Sequence, residues 1–373
     1  MIIKDKSLDV LFYYPQHFNR NADGSNPYIT SLIKVCENNN ISYRFVEETD
    51  KKSGKPSNPK ACKFDRWLFL ILVLRKLLPM ALFSCFEYRE QFIGRIIRYL
   101  SFGKFKASVI VTLSNSMGGV LRGINPTARI FDYQHGIIDS KQPGFFKTRK
   151  APNWIRSNNK EVLVYGKGFK DIMINTDKEY YQNKTHCIGA PNTLSSNFIK
   201  GNNILVSLQI IELENVSLEW LSAQVEMLDD IFKNDSTTSQ LSNRMVYLRH
   251  HPRSNRSFDL QKLYAFPFVK DFDDSIESTQ IGLHITFFST SAFEFASLGI
   301  PTLFLFNRII PQGETLFYNE FNYPYQNWNS INEWITALSQ EDSFKISRNI
   351  KNWYKLFYQP FNEQKFLELI TCK

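Results

Sequence analysis

The feature that most constrains this chain is a repeated alternation. Short apolar runs are followed by segments with helical spacing, again and again. "SVIVTLS" (108–114) and "LHITFFS" (283–289) are nearly unbroken apolar runs bounded by polar turns. A strand that is apolar throughout must be covered on both faces, which is the pattern of a parallel sheet layered by helices. Comparable runs occur at 8–14, 42–48, 128–136 and 161–166, and again at 203–209, 245–251, 266–272 and 301–306. Helical spacing fills 64–102, 217–233 and the last thirty residues. The polar stretch "GAPNTLSSNFIKGNN" (189–203) separates the two series. The expectation is an α/β chain of two doubly wound, Rossmann-like domains facing a cleft. Their bounds read as 1–190 and 191–345, with 346–373 as terminal helices packing back on the first domain. A chain of 373 residues suits two such domains better than one core.

Charge narrows the partners. A net charge of +9 favours an anionic ligand: nucleic acid, anionic lipid or a phosphorylated small molecule. The five cysteines are odd in number and none forms a C-x-x-C pair, so neither a disulfide framework nor a structural zinc site is expected. Reduced thiols of a cytoplasmic protein fit better, and the N-terminus lacks the apolar stretch of a signal peptide. "WLFLILVLRKLLPMALF" (67–83) is interrupted by Arg75, Lys76 and Pro79, whereas a spanning helix needs ~20 apolar residues. Residues 60–106 carry ten Lys or Arg against three acids. They read either as an amphipathic helix pair lying on an anionic membrane or as packed helices with a basic outer face.

Open α/β sheets bind ligands at the carboxyl ends of their strands, and the chemistry-bearing motifs here sit at such ends. "VYLRHHPR" places Arg249, His251 and Arg253 after a strand. A guanidinium fork grips phosphate oxygens and an imidazole donates to them; the alternative is a solvated basic loop. "FFSTSAFEF" ends a strand in Ser289, Thr290 and Ser291 and opens a helix, where hydroxyls and free backbone N–H groups form an anion site. Glu294 in its first turn is placed to meet ribose hydroxyls, or to complete a ligand-free capping box. "FDYQHGIID" puts Gln134, His135, Gly136 and Asp139 at a strand end of the first half. There His135 suits a general base oriented by Asp132 or Asp139, or an acceptor contact beside Gln134, Gly136 and Asp139, or a structural histidine in a glycine turn. Asp23-Gly24 follows the first strand and is either a second candidate base or a plain turn. "DFDDS" (271–275) contains Asp-x-Asp, but Asp274 followed by Glu277 reads as a helix start, so no metal and no cofactor is expected. Fingerprints of P-loop, nicotinamide, zincin and α/β-hydrolase sites are absent from the sequence. The basic residues fall at strand ends rather than along one helix, which argues against nucleic acid.

"DYQHG", "RHHPR" and "STSAFEFASLGIPTLFL", in that order, resemble the bacterial surface- and capsule-polysaccharide glycosyltransferases, including the Kdo and sialic acid transferases. The resemblance implies a GT-B fold whose C-terminal domain holds a nucleotide-sugar donor. It implies that His251 meets the donor phosphate, that Ser289, Thr290 and Ser291 bind it as well, and that Glu294 reaches the ribose. Asp23 matches the family's acidic-acidic-Gly motif only in part, since Ala22 stands at the first acid. The base therefore lies between Asp23 and His135, with His135 first.

Three functions follow from these readings. The first is inverting, metal-independent sugar transfer from a nucleotide-sugar to a glycan or lipid-linked glycan acceptor, peripheral on the cytoplasmic membrane face. The second is transfer of a phosphopolyol from a CDP-linked donor into wall or capsule polymers. The third is a non-catalytic protein that binds anionic membrane or nucleic acid.

Overall fold

A computed structural model describes residues 8–113, 117–191, 201–210, 217–236, 244–252, 254, 256–273, 276–305, 314–325, 336 and 343–372. The chain divides into two compact units. The first is Met1–Thr193 together with Tyr358–Lys373, and the second is Leu194–Phe357.

The first unit is built on seven parallel strands: β1 (Leu8–Pro15), β2 (Tyr43–Glu48), β3 (Cys62–Lys63), β4 (Ala107–Thr112), β5 (Arg129–Tyr133), β6 (Lys160–Val164) and β7 (Thr185–Cys187), in the order β3-β2-β1-β4-β5-β6-β7. The run 10–14 of β1 and all of β6 are buried along their length, as a sheet covered on both faces requires. One face packs helices Asp65–Leu77, Phe86–Leu100 and Gly118–Ile124 onto Leu11, Val46, Ile110 and Ile130. The short β3 and β7 were not expected from the sequence, because two or three residues carry no readable periodicity.

The second unit repeats the plan with five parallel strands: β8 (Asn203–Ser207), β9 (Val246–Arg249), β10 (Val269–Asp271), β11 (Ile281–Thr286) and β12 (Thr302–Phe304), in the order β10-β9-β8-β11-β12. Its core joins Ile204, Val206, Leu248, Leu283 and Ile285 to Leu228 and Phe232 of helix Leu218–Ser236. Helix Ser291–Ser297 ends at Gly299, whose φ of +78° is left-handed. An added Cβ there would lie 2.0 Å from Ser347 Oγ on helix Ser343–Phe357. Glycine thus allows both the reversal and the close approach of the two helices.

The terminal segment is split between the units. Helix Ser343–Phe357 belongs to the second unit, where Trp353 stacks on Phe293 at 4.8 Å. The residues beyond it join the first. Ala190 N–H donates to Gln359 C=O at 2.8 Å, Asn362 N–H donates to Ile188 C=O at 2.8 Å, and helix Glu363–Thr371 packs on helix Pro27–Asn38.

Candidate functional site

In the second unit the strand order reverses between β8 and β11, and a cavity of about 280 Å³ opens outside their carboxyl ends. Ser207, Arg249, His250, His251, Ser289, Thr290, Ser291 and Glu294 contribute to its walls. The topology explains the convergence, because β8 ends at Ser207, β9 at Arg249, and β11 runs directly into Ser289–Ser291. Six of the residues expected to hold the donor are therefore brought together: Arg249, His251, Ser289, Thr290, Ser291 and Glu294. Arg253 lies outside the described residues.

The backbone at the turn differs from expectation. The helix after it has only seven residues, and its first N–H groups are already bonded. Ser291 N–H donates to Ser289 Oγ at 3.2 Å, Ala292 N–H to Ser289 C=O at 3.2 Å, and Phe293 N–H to Thr290 C=O at 3.0 Å. Upstream, Phe288 N–H donates to Gln209 Oε1 at 2.6 Å and Ser289 N–H to Thr286 Oγ1 at 3.3 Å. The turn is held by its own bonds, so hydroxyls and side-chain cations supply most of what a ligand would meet. The capping box is also absent, as no side-chain cap bond forms at Thr290. Glu294 Oε2 instead accepts from Arg249 Nη1 at 3.0 Å, which fixes the guanidinium at the cavity wall.

Behind the hydroxyls stands His284, wholly buried and stacked on Phe295 at 4.4 Å. Its Nδ1 lies 2.9 Å from Thr302 Oγ1 and its Nε2 lies 2.9 Å from Ser207 Oγ. Burial, then the positive charge of Arg249, hold its pKa well below the ordinary 6.5, so the ring stays neutral. A neutral imidazole has one donor and one acceptor. Ser291 Oγ lies 3.1 Å from Ser207 Oγ and 2.8 Å from Ser289 Oγ. Each hydroxyl carries one proton, so the His284 tautomer sets the direction in which this chain donates.

His250 belongs to the same basic run after β9. Its Nε2 lies 3.1 Å from Asp271 Oδ1 and 3.3 Å from the Tyr264 hydroxyl, which itself donates to Asp271. Asp271, the first acid of the Asp-x-Asp, thus serves as a partner of histidine and tyrosine. Asp274 lies outside the described residues, and among those described no group of three His, Cys, Asp or Glu is placed to hold a metal ion.

The strand ends of the first unit carry the remaining candidates. His135 follows β5, is exposed, and sets its ring against the edge of Phe18 at 4.8 Å. Neither proposed carboxylate orients it. Asp132 is buried and its charge acts on the buried Lys160, while Asp139 Oδ1 accepts from Lys141 N–H at 2.7 Å. Gln134 is spent on structure: its Nε2 donates to Gly136 C=O at 2.6 Å and its Oε1 accepts from Tyr165 N–H at 2.8 Å. Gly136 is exposed, and an added Cβ would meet nothing within 4 Å.

Asp23 Oδ1 accepts from Ser25 N–H at 2.8 Å. That bond holds the carboxyl below its usual range and leaves a weak base. Gly24, with φ of +76°, passes so close to Ser57 that a Cβ would lie 2.2 Å from its carbonyl oxygen. Asp23-Gly24 has the geometry of a turn. A pair not singled out from the sequence stands nearby: His17 Nδ1 lies 3.1 Å from Asp50 Oδ2, and its ring packs on the same Phe18 at 4.5 Å. Carboxylate contact at Nδ1 orients the imidazole and leaves Nε2 for other chemistry.

No protein-family model matches the chain, and no curated protein matches it. Solved structures do match in fold. A variant of the wall teichoic acid polymerase TagF superposes with a TM-score of 0.51 at 13% identity, covering 97% of this chain and 87% of that one. The apo form of the lipopolysaccharide outer core galactosyltransferase WaaB superposes with a TM-score of 0.51 at 11% identity, covering 97% and 98%. The fold is that of the GT-B glycosyltransferases, with two parallel α/β sheets.

Proposed function

We propose that the chain is a glycosyltransferase that moves a sugar from a nucleotide-sugar donor to a surface-polysaccharide or lipid-linked glycan acceptor. The observation that carries this reading is the cavity at the β8/β11 reversal, lined by Arg249, His250, His251 and four hydroxyl side chains. Glycosyl transfer develops negative charge on the leaving phosphate, and fixed cations and hydroxyl donors in a recessed site offset it. Arg249 and His251 take that part, with Ser289, Thr290 and Ser291 orienting phosphate oxygens and Glu294 reaching the ribose. A base in the first unit takes the acceptor's proton. His135 and His17 are the candidates, and His17 is the better prepared because Asp50 orients it. Direct displacement by the acceptor inverts the anomeric centre, and comparing donor and product anomers by NMR tests this. The resemblance of "RHHPR" and "STSAFEFASLG" to the Kdo and sialic acid transferases favours a CMP-sugar.

The second reading, phosphopolyol transfer from a CDP-linked donor, is supported by the fold likeness to the wall teichoic acid polymerase. A thermal-shift screen with CMP, CDP, UDP, GDP and dTDP decides the donor class, because a nucleotide bound only by the native state raises Tm. A lone response to CMP or UDP supports sugar transfer. CDP alone, followed by turnover of a CDP-polyol, supports the second reading. No response to any nucleotide defeats both.

A further inference from the structure

We propose that helices Asp65–Leu77 and Phe86–Leu100, with the turn Met80–Leu82 between them, form a surface that docks on an anionic lipid bilayer. This inference is independent of the transfer reaction proposed above.

The two helices spend apolar side chains on two faces. Ile71, Ile93 and Ile97 face inward and are buried with Phe64 and Phe105. The outward face of a water-exposed helix is normally polar. Here it carries Phe69 and Leu72 on the first helix and Tyr88, Phe92 and Tyr99 on the second, the last three at helical spacing. Leu77 and Leu82, flanking Pro79, are 69% and 67% exposed, and Phe102 is 87% exposed. Of the fifteen large apolar side chains exposed among the described residues, eleven lie between Phe69 and Phe102. Exposed apolar side chains concentrated in one helix pair mark an interaction site.

Charge selects the occupant. The three acids of the segment are turned to other work. Glu90 is buried and accepts from Arg75 at 2.6 Å, Glu87 is buried and accepts from Asn158 at 3.0 Å, and Asp65 accepts from the Thr49 hydroxyl at 2.7 Å. Lys63, Arg66, Lys76, Arg95 and Lys104 remain exposed around the apolar residues. A second copy of the chain would bring cations against cations. Anionic headgroups complement them while the aromatic and leucine side chains enter the interfacial layer. The first helix spans about 20 Å at ~1.5 Å per residue, short of a ~30 Å hydrocarbon core. No described helix is long and apolar enough to cross a membrane, so the pair would lie on the surface.

Vesicle sedimentation of the full chain tests this, using phosphatidylcholine alone and phosphatidylcholine with phosphatidylglycerol. Binding should appear with the anionic vesicles and weaken as salt rises. L77S/L82S should reduce partitioning by about tenfold or more at unchanged Tm, since both side chains are exposed. K63E/K76E should reduce it roughly fivefold or more per lysine, and carries the test if the leucine variant fails to fold. The proposal is overturned by equal binding to both vesicle types, by binding to neither, or by a dimer in light scattering that L77S/L82S dissolves.

Discussion

Nε2 of the buried His284 lies 2.9 Å from the Ser207 hydroxyl, directly behind the wall of the candidate donor cavity. The contact ties a strand interior to a surface that would meet substrate. In the proposed transfer it would give His284 a positioning part, exerted through Ser207 and Ser291.

Replacing His284 by Gln should lower turnover about tenfold while leaving nucleotide-induced Tm shifts largely intact, as expected when donor direction rather than a contact is lost. Stability supplies a second readout. His284 is held neutral when folded but takes up a proton near pH 6.5 when unfolded, so its contribution is present above that pH and is lost as pH falls below it. Between pH 7.5 and 5.5 the parent should lose about 1 kcal/mol more than H284Q in urea unfolding. Equal losses would show that the ring is not held neutral.

Arg249 and Glu294 should separate phosphate from ribose. R249A should weaken binding of any nucleotide about tenfold or more, because a charge-assisted contact to phosphate is removed. E294Q should weaken nucleoside monophosphates severalfold yet leave pyrophosphate binding unchanged or tighter. Calorimetric titration of both ligands measures the split, and parallel losses in E294Q would assign Glu294 to holding Arg249 alone.

The three base candidates give a graded series. D23N should change turnover less than about threefold, since the Asp23 carboxyl caps its own turn and is held in its weakly basic form. H17A should cost about a hundredfold or more if Asp50 prepares it as the base, and D50N should displace the acid limb of the pH–rate profile. A profile that shifts in H135A variants and not in D50N would return the role to His135.

Acid sensitivity should centre on Glu161. Burial alone would raise its carboxyl pKa, but hydrogen bonds from His186 and Arg129, and their charges, pull it down to about 2. Its stabilising contribution is present above the unfolded value near 4.5 and is lost as pH falls toward 2. E161Q should be less stable than the parent at pH 6, and the gap should close by about 2 kcal/mol at pH 2.5. A gap independent of pH would mean the ionised form is not favoured by folding.

The strands that build the cavity were legible because their runs are continuous and end in polar residues. β9 ends at Arg249 and β11 leads into Ser289, which is why most of the candidate cavity's wall could be read from strand ends. Pairings across distant segments were not legible. His17 and Asp50 are 33 residues apart, His250 and Asp271 are 21, and Arg249 and Glu294 are 45. Local spacing left Glu294 between a ribose contact and a capping box, and could not show its pairing with Arg249 at the end of β9. His284 carried one readable sign, a single imidazole inside "LHITFF", yet its worth depends on Ser207 and Thr302 from the two neighbouring strands.

The return of the chain at Tyr358 makes the second unit an insertion within the first. During synthesis the second unit emerges complete while the first still lacks the strand-edge contacts of Gln359 and Asn362 and the helix Glu363–Thr371. The first unit therefore closes only once the residues beyond Tyr358 have been made, after the second unit is complete, reversing the usual vectorial order. Truncation before Tyr358 would leave the second unit whole and the first without its closing helix.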